Sequence, residues 1–362
     1  MEKDFPEGIP ECGADALRFG LLAYTVQGRD VNLDIQRVVG YRQFCNKMWN
    51  AVRFALPYVS DFTPDENTPK ALTSMPGVSK RDSFILNRLN ETILEAETNF
   101  GNYLFGNVVN ALHSFFIYDL CDVYLELIKP VVMDNSPENA DSKRCAQATL
   151  YTCLETYLRL CHPIMPFVTE ELWQRLPNRG CFGPSIMIAS YPKQEPTWHN
   201  PNSSADMALV KEAINAARSM RAGYKIGNNV KTDFYYTFVG DEVGAAIAAQ
   251  SDDFCTLAKG NFLTAVDASG PPKGCSVKIV SDKLSILVNL TGVIDLQQEI
   301  SRLEKDLGNV EPSLDVLERK MASDGYDKVP EKVKEANSIK KLALKKEIDD
   351  ITTAMQEFRN MM

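Results

Sequence analysis

The chain has 362 residues, 44% of them hydrophobic and 24% charged, which is typical of a soluble globular protein with two or three domains. Its formal net charge of −9 excludes a general positive field, so any nucleic-acid contact must come from local basic faces. Nine cysteines without a C-x-x-C pair favour reduced thiols in the cytoplasm. No apolar run reaches the roughly 18 residues of a membrane span, and the acidic start is unlike a signal peptide, so we expect a cytoplasmic protein without a membrane partner.

The first half of the chain is predicted to be an antiparallel helical bundle. Apolar residues recur there at spacings of three and four, and short polar segments separate the periodic stretches. The prolines at 57, 130 and 163 are expected to end helices. Asp34 is a candidate N-cap, Gln27 to Asp30 a turn, and Pro57 to Arg81 a loop. The predicted helices are Ala14 to Val26, Tyr41 to Leu56, Asp82 to Phe100, Tyr103 to Lys129, Ser142 to Cys161 and Met165 to Leu176.

The composition changes after residue 180, and a small α/β domain is expected to follow. Gly180 to Pro201 is rich in Gly, Pro and Ser and has no helical period, which is typical of a linker. The expected helices are Asp206 to Tyr224 and Glu242 to Ala258, and the expected strands are Thr232 to Val239, Phe262 to Val266, Ser276 to Val280 and Leu284 to Leu290.

The end of the chain is predicted to be an antiparallel coiled-coil hairpin. Heptad-spaced apolar residues run from Ile300 to Met321 and from Leu344 to Met362, and a turn at Ser323 to Tyr326 joins them. Pro312 is expected to kink or break the first helix. The predicted domains are a bundle at 1–180, a linker at 181–204, an α/β domain at 205–292 and an arm at 293–362.

The helix from Tyr41 to Leu56 carries an unusual second face. One face is apolar and suits the core, whereas the opposite face combines Lys47 and amides with the aromatic ring of Phe54. Such a face could stack an unpaired base on Phe54 while polar groups bind its edge or a phosphate. The alternative is an ordinary amphipathic helix with one exposed Phe. The candidate base-binding residues on this face are Gln43, Lys47, Asn50 and Phe54.

Lysines crowd the start of the second arm helix. They outnumber the carboxylates beside them, so this face could hold a phosphate backbone. The alternative is a solvated coiled-coil surface. The candidate residues are Lys328, Lys332, Lys334, Lys340, Lys341 and Lys345.

The residues offer little for catalysis. The three histidines lack metal-ligand spacing, and no G-x-G-x-x-G or G-x-x-x-x-G-K-[ST] loop is present to hold phosphates. His162 is expected to cap a helix or lie in the core, and Cys145, Cys153 and Cys161 are expected in the core and not as metal ligands. From its own residues the chain is predicted to be non-catalytic.

Five stretches of the sequence are distinctive: DALRF (15–19), GRD (28–30), YRQFCNKMWNAVRF (41–54), DLCDVYLELIKP (119–130) and HPIMPFVTEELWQRLP (162–177). Together they resemble the valyl-tRNA synthetases, class I enzymes, of the eukaryotic cytoplasmic type. The resemblance covers almost the whole chain and is weaker between Ala205 and Thr291.

This resemblance implies a tRNA-recognition function. In the family, residues matching Lys47 and Phe54 lie where the anticodon is read, and the stretch around Arg37 lies nearby. Residues matching Asp15 and Arg18 lie at a domain junction and would be structural. The family's terminal arm leans on the tRNA core, although Pro312 and the acidic first helix depart from a basic, unbroken arm.

The resemblance also implies what this chain lacks. The H-I-G-H and K-M-S-K-S type motifs are absent, so valine activation with ATP would need a catalytic domain that these residues do not contain, and we expect no cofactor here. The expected partners are valine tRNA, that catalytic domain and other translation proteins. Two alternatives are a free-standing RNA-binding regulatory relative and a protein-interaction scaffold that uses the coiled-coil hairpin.

Overall fold

The computed structural model forms two compact units, Met1–Val210 and Lys211–Met362. The predicted four-domain division stays a prediction. The residues described are 6, 8–25, 33–65, 67–179, 183–267, 270–293, 296–322, 326, 333–334, 337–342, 344–345, 348, 352, 355–356 and 359. The predicted turns at 27–30 and at 323–325 lie outside them.

The first unit is a bundle of α-helices, as the periodicity predicts. Short 3₁₀ turns lie at Leu72–Ser74, Pro137–Asn139, Ile186–Ile188 and Pro196–Trp198. The helices are α1 (Ala14–Tyr24), α2 (Ile35–Val59), α3 (Thr68–Ala71), α4 (Lys80–Gly101), α5 (Phe105–Ser114), α6 (Leu125–Met133), α7 (Ala140–Cys161), α8 (Pro166–Arg175) and α9 (Pro201–Gly223), the last continuing into the second unit.

Helix α7 forms the centre of this bundle and packs against α2, α4, α6 and α8. It is buried on nearly all sides from Cys145 onward, which is typical of a core helix. Cys145, Cys153 and Cys161 have no exposed surface, so the prediction that they belong to the core is confirmed. The buried amide of Gln147 donates to the carbonyl of Tyr58 at 2.7 Å and thereby ties α7 to the end of α2.

Two predicted helix ends in this unit are wrong. α2 continues through Pro57 to Val59, and α6 continues through Pro130 to Met133. Each proline removes one backbone hydrogen bond near a helix end. Burial of Val59 and Val132 offsets that loss, since a buried valine contributes about 1.5 kcal/mol or more.

The region predicted as one helix from Tyr103 to Lys129 has three parts. Between α5 and α6 lies a π-helical segment, Phe115–Tyr124, after which the N–H of Leu125 donates to the carbonyl of Leu120 five residues earlier. Inside this segment Asp119 is buried and pairs with the Arg88 guanidinium of α4 at 3.0 Å. The apolar spacing could not distinguish this wider turn from an α-helix. Similarly, the predicted loop from Pro57 to Arg81 contains the short helix α3.

The second unit contains a four-stranded mixed sheet in the order β2-β1-β4-β3. β1 and β2 are parallel, whereas β1 with β4 and β3 with β4 are antiparallel. The buried face carries Phe234, which lies opposite Val288 in the register. The strands are β1 (Thr232–Phe238), β2 (Gly260–Ala265), β3 (Cys275–Ser281) and β4 (Leu284–Asn289).

The helix predicted from Glu242 to Ala258 is two helices. α10 (Asp241–Ala248) and α11 (Ser251–Ala258) are separated at Gln250, whose backbone is not helical. Ser251 and the aspartates after it favour a first turn, so this start signal explains the break.

The arm begins with α12 (Leu296–Met321), which continues without interruption through Pro312. Of the predicted kink or break at Pro312, the break is therefore wrong. The facing helical residues run antiparallel to α12, because Glu318 pairs with Lys341 at 3.1 Å whereas the earlier Glu304 pairs with the later Arg359 at 3.0 Å. Packing on both sides of Pro312, with Leu317 buried, offsets the lost hydrogen bond.

Candidate functional site

Helix α2 has two faces of different character, as its sequence predicts. Its start is fixed by Asp34, whose side chain accepts a hydrogen bond from the N–H of Gln36 at 2.9 Å and caps the helix. Phe44, Met48 and Val52 are at most 4% exposed and form the core face. Of the opposite face, Asn50 is exposed.

The outer face of α2 borders a cavity of about 290 Å³, here called the outer pocket. Three of the predicted site residues line it together, which the sequence could only suggest from spacing. The opposite wall comes from the end of the π-helical segment and from α6. The lining residues are Lys47, Asn50, Ala51 and Phe54 of α2, with Cys121, Asp122, Leu125, Glu126 and Lys129 facing them.

One end of the outer pocket holds an ion pair. The Nζ of Lys47 donates to Oδ1 of Asp122 at 3.0 Å, and the two side chains are 42% and 53% exposed. A pair this exposed contributes little to stability, typically below about 1 kcal/mol. Lys47 and Asp122 can therefore separate and bind a ligand at a small cost in free energy.

Phe54 forms the aromatic wall of the outer pocket. Its ring lies 5.2 Å from that of Tyr58, and the Nζ of Lys129 lies 5.4 Å from its centroid. Lys129 also pairs with Glu126 one turn earlier on α6. A cation near an aromatic face is the arrangement that also favours base stacking in nucleic-acid sites.

The floor of the outer pocket is apolar. Burial raises the pKa of the Cys121 thiol to about 12, so that sulfur is uncharged and unreactive at neutral pH. Behind α2, the pKa of His113 is lowered by burial and by the nearby charge of Lys47. The imidazole of His113 packs on Phe44 with the ring centroids 4.9 Å apart.

Two of the predicted anticodon residues lie elsewhere. The guanidinium of Arg37 sits 4.6 Å from the centroid of the Tyr24 ring, and hydrogen bonding to Tyr41 raises its pKa. Gln43 is exposed and accepts a hydrogen bond from the amide of Asn46 at 3.4 Å. Neither lines the outer pocket.

The arm lysines are only partly accounted for. Lys328 and Lys332 lie outside the described residues. Lys341 and Lys345 both point to Glu318, with Nζ to Oε1 distances of 3.1 and 3.3 Å. These hydrogen bonds, that of Lys341 first, lower the pKa of the Glu318 carboxyl. Lys334 is half-buried and Lys340 is exposed.

Asp15 and Arg18 have the structural role that the resemblance implies. The carboxylate of Asp15 accepts hydrogen bonds from the backbone N–H groups of Phe167 and Val168, at 3.3 and 2.6 Å, and so satisfies the start of α8. Arg18 donates to the carbonyl of Ile164 at 2.8 Å. Both residues hold α1 against the turn between α7 and α8.

His162 caps α7, as predicted, and its Nδ1 lies 2.7 Å from the hydroxyl of Thr169. Over the part of the chain that the structure describes, no group of three or more His, Cys, Asp or Glu side chains is placed to hold a metal ion. In the same residues, no helix is both long and apolar enough to cross a membrane.

Three pocket residues were missed by the sequence reasoning: Asp122, Glu126 and Lys129. Their spacing of four and three places them on one helical face, and this was the available signal. The contact of that face with α2 joins residues 75 positions apart, which no local pattern reveals.

Two regions of the chain match known protein families. Residues 82–236 match the family described as "Anticodon-binding domain of tRNA ligase", and residues 295–359 match "Valyl tRNA synthetase tRNA binding arm". The stretch from α4 to β1 thus matches the anticodon-binding domain of tRNA ligases.

Individual proteins that resemble the chain over nearly its whole length are valine--tRNA ligases. The chain is 40% identical to "Valine--tRNA ligase" of Rattus norvegicus over 99% of its length, and 40% identical to that of Homo sapiens over 100%. It is 37% identical to "Valine--tRNA ligase, mitochondrial 1" of Arabidopsis thaliana over 96%. The chain belongs to the valyl-tRNA synthetase family. It spans 28% of the length of the rat and human relatives and 32% of the Arabidopsis relative.

Proposed function

We propose that this chain is the tRNA-recognition part of a valine--tRNA ligase. The observation that carries this proposal is the outer pocket, where Lys47, Asn50 and Phe54 of α2 face a wall that lies within the residues matching an anticodon-binding domain. Phe54 stacks on an unpaired anticodon base, and Lys47 and Asn50 bind its edge or the adjacent phosphate.

Arg37 and Gln43 contribute from farther along the exposed side of α2 and bind neighbouring nucleotides or phosphates. The arm binds the tRNA core through its lysines, Lys340 among them. This second contact is supported by the match of residues 295–359 to a tRNA binding arm and by the exposure of Lys340. Phosphate contacts of this kind fix orientation, whereas base contacts give specificity.

Valine activation with ATP belongs, in this proposal, to a catalytic domain outside these 362 residues, and that domain is a partner of this chain. The protein acts in the cytoplasm, together with other translation proteins. Relatives named as mitochondrial also match, so the cellular compartment differs between members of the family.

A filter-binding titration tests the proposal. The full chain is titrated with a valine tRNA transcript and with a transcript altered at its anticodon, across a series of salt concentrations. We expect preference for the unaltered transcript and binding that weakens steeply with salt, because neutralised phosphates release counterions. Equal binding of both transcripts would contradict anticodon recognition, and binding of neither would overturn the tRNA function.

A further inference from the structure

The outer pocket is electrically balanced, which is unusual for a site that only holds phosphate. Its two lysines, Lys47 and Lys129, are matched by two carboxylates, Asp122 and Glu126, within the same cavity. Each lysine is already paired with one of these carboxylates. A phosphate would gain little from such a site, because the carboxylates cancel the attraction of the lysines.

The same groups are well suited to the edge of a nucleobase. The carboxylates supply acceptor oxygens, the lysines supply donors, and Phe54 supplies a stacking surface above an apolar floor. Asp122 lies near the end of the π-helical segment, and Glu126 lies four residues later in α6. Both carboxylates therefore belong to the pocket wall opposite α2. An unpaired base stacked on Phe54 would therefore point its edge toward acceptors.

Acceptor oxygens discriminate between bases. Carboxylates accept hydrogen bonds from exocyclic amino groups, such as N4 of cytosine, whereas uracil offers a carbonyl oxygen at the equivalent position. The carbonyl oxygen of uracil can be satisfied here by Lys47 or Lys129, but a lysine drawn toward it gives up part of its pairing with Asp122 or Glu126. The carboxylate wall therefore favours an amino group over a carbonyl oxygen.

We propose that Asp122 and Glu126 are specificity-determining residues, which make the outer pocket select an unpaired base bearing an exocyclic amino group and reject uracil. This inference rests on the proposed function, and it extends that function from the predicted residues of α2 to the wall formed by the π-helical segment and α6. In the free chain the ammonium groups of Lys47 and Lys129 pair with these carboxylates. When the base binds, its amino group replaces the ammonium group as the hydrogen-bond donor.

The test measures a ratio of affinities. A series of valine tRNA transcripts is made in which each anticodon base in turn is replaced by uracil, and the full chain is titrated with each. At the position that enters the outer pocket, we expect the replacement to weaken binding about tenfold or more. In Asp122→Asn and Glu126→Gln this penalty should shrink to within about threefold, because an amide can also donate to the carbonyl oxygen of uracil.

Glu171→Gln is the matched control. Glu171 is an exposed carboxylate paired with Arg175 on α8, so its replacement removes the same charge without touching the outer pocket. It should leave the uracil penalty unchanged. Both pocket carboxylates are about half exposed, so the variants are expected to fold, and thermal unfolding checks this.

The outcomes separate this inference from the proposed function. If the unaltered chain prefers its transcript but the pocket variants and their double variant keep the full uracil penalty, the role of Asp122 and Glu126 is overturned and tRNA recognition stands. If the unaltered chain binds no transcript, both fail. A smaller penalty in only one variant supports the proposal and assigns the amino group to that carboxylate.

Discussion

The sequence assigns Lys47 of the outer pocket and several lysines of the arm to RNA binding, yet the surroundings of the lysines in these two regions differ. In the outer pocket, each lysine faces one carboxylate, and an aromatic ring and an apolar floor lie beside them. In the arm, Lys341 and Lys345 converge on the single carboxylate of Glu318, while Lys340 stays exposed. In the proposed function, this difference in surroundings assigns Lys47 to base reading and Lys340 to phosphate attraction.

The largest expected effect is a loss of stability from a substitution on the core face of α2. This substitution shows which face of the helix the fold requires. Met48→Ala removes a side chain with no exposed surface and should cost about 2–5 kcal/mol of unfolding free energy. Urea denaturation measures this loss. Asn50→Ala, on the exposed face of the same helix, is the control and should change stability by about 0.5 kcal/mol or less. A large loss in the control would show that the outer face is structural.

Removal of the aromatic wall should weaken tRNA binding without unfolding the protein. Phe54→Ala is expected to lower affinity by about 5- to 150-fold, since stacking on one aromatic ring contributes about 1–3 kcal/mol per base. Adding Lys47→Ala should weaken binding further and lower the melting temperature only slightly. Unchanged affinity, or destabilisation as large as that of Met48→Ala, would place Phe54 in the core instead.

In the arm, the expected effects are smaller and concern the dependence on salt. Lys340→Ala should lower affinity uniformly for all transcripts and reduce the slope of log affinity against log salt by about one. Lys341→Ala is the comparison variant and should change the slope less, because Lys341 already pairs with Glu318. Equal slopes in both variants and the unaltered chain would remove the arm from the tRNA contact.

The smallest expected effect concerns pH. The pKa of His113 is lowered from its ordinary 6.5, so the folded state binds a proton less readily than the unfolded state. Its contribution to stability is therefore present above about pH 6.5 and is lost as the pH falls through the lowered pKa. Between about pH 7 and pH 5, His113→Gln should lose less unfolding free energy than the unaltered chain.

Exposed His199 serves as the control for this pH dependence. His199→Gln should follow the unaltered chain across the same range in chemical denaturation. If His113→Gln follows it equally closely, burial of the His113 imidazole is not the cause of the acid sensitivity.

Local signals in the sequence were sufficient for much of the fold. The period of α2 and the cap at Asp34 predicted both its core face and its start, and the heptads predicted the antiparallel arm. The prolines at 57, 130 and 312 misled the prediction because tertiary packing offsets a lost hydrogen bond, which propensity alone cannot show.

Features built from distant residues could not be predicted. The outer pocket needs the π-helical segment to approach α2, and nothing in the spacing of Phe115–Tyr124 distinguishes π from α. Arg221 of α9 is another case: it is 4% exposed and donates to the carbonyl of Lys259, 38 residues away, at 3.4 Å. A sequence alone assigns such an arginine to the surface.

The central claim is that the outer pocket reads a base and the arm lysines hold phosphate, and salt titration tests it most directly. Affinities of the unaltered chain, of Phe54→Ala and of Lys340→Ala for the two anticodon transcripts are measured across salt concentrations. Phe54→Ala should lose the preference between transcripts and keep the salt slope, whereas Lys340→Ala should keep the preference and lower the slope. A lower slope in Phe54→Ala with its preference intact would contradict the account.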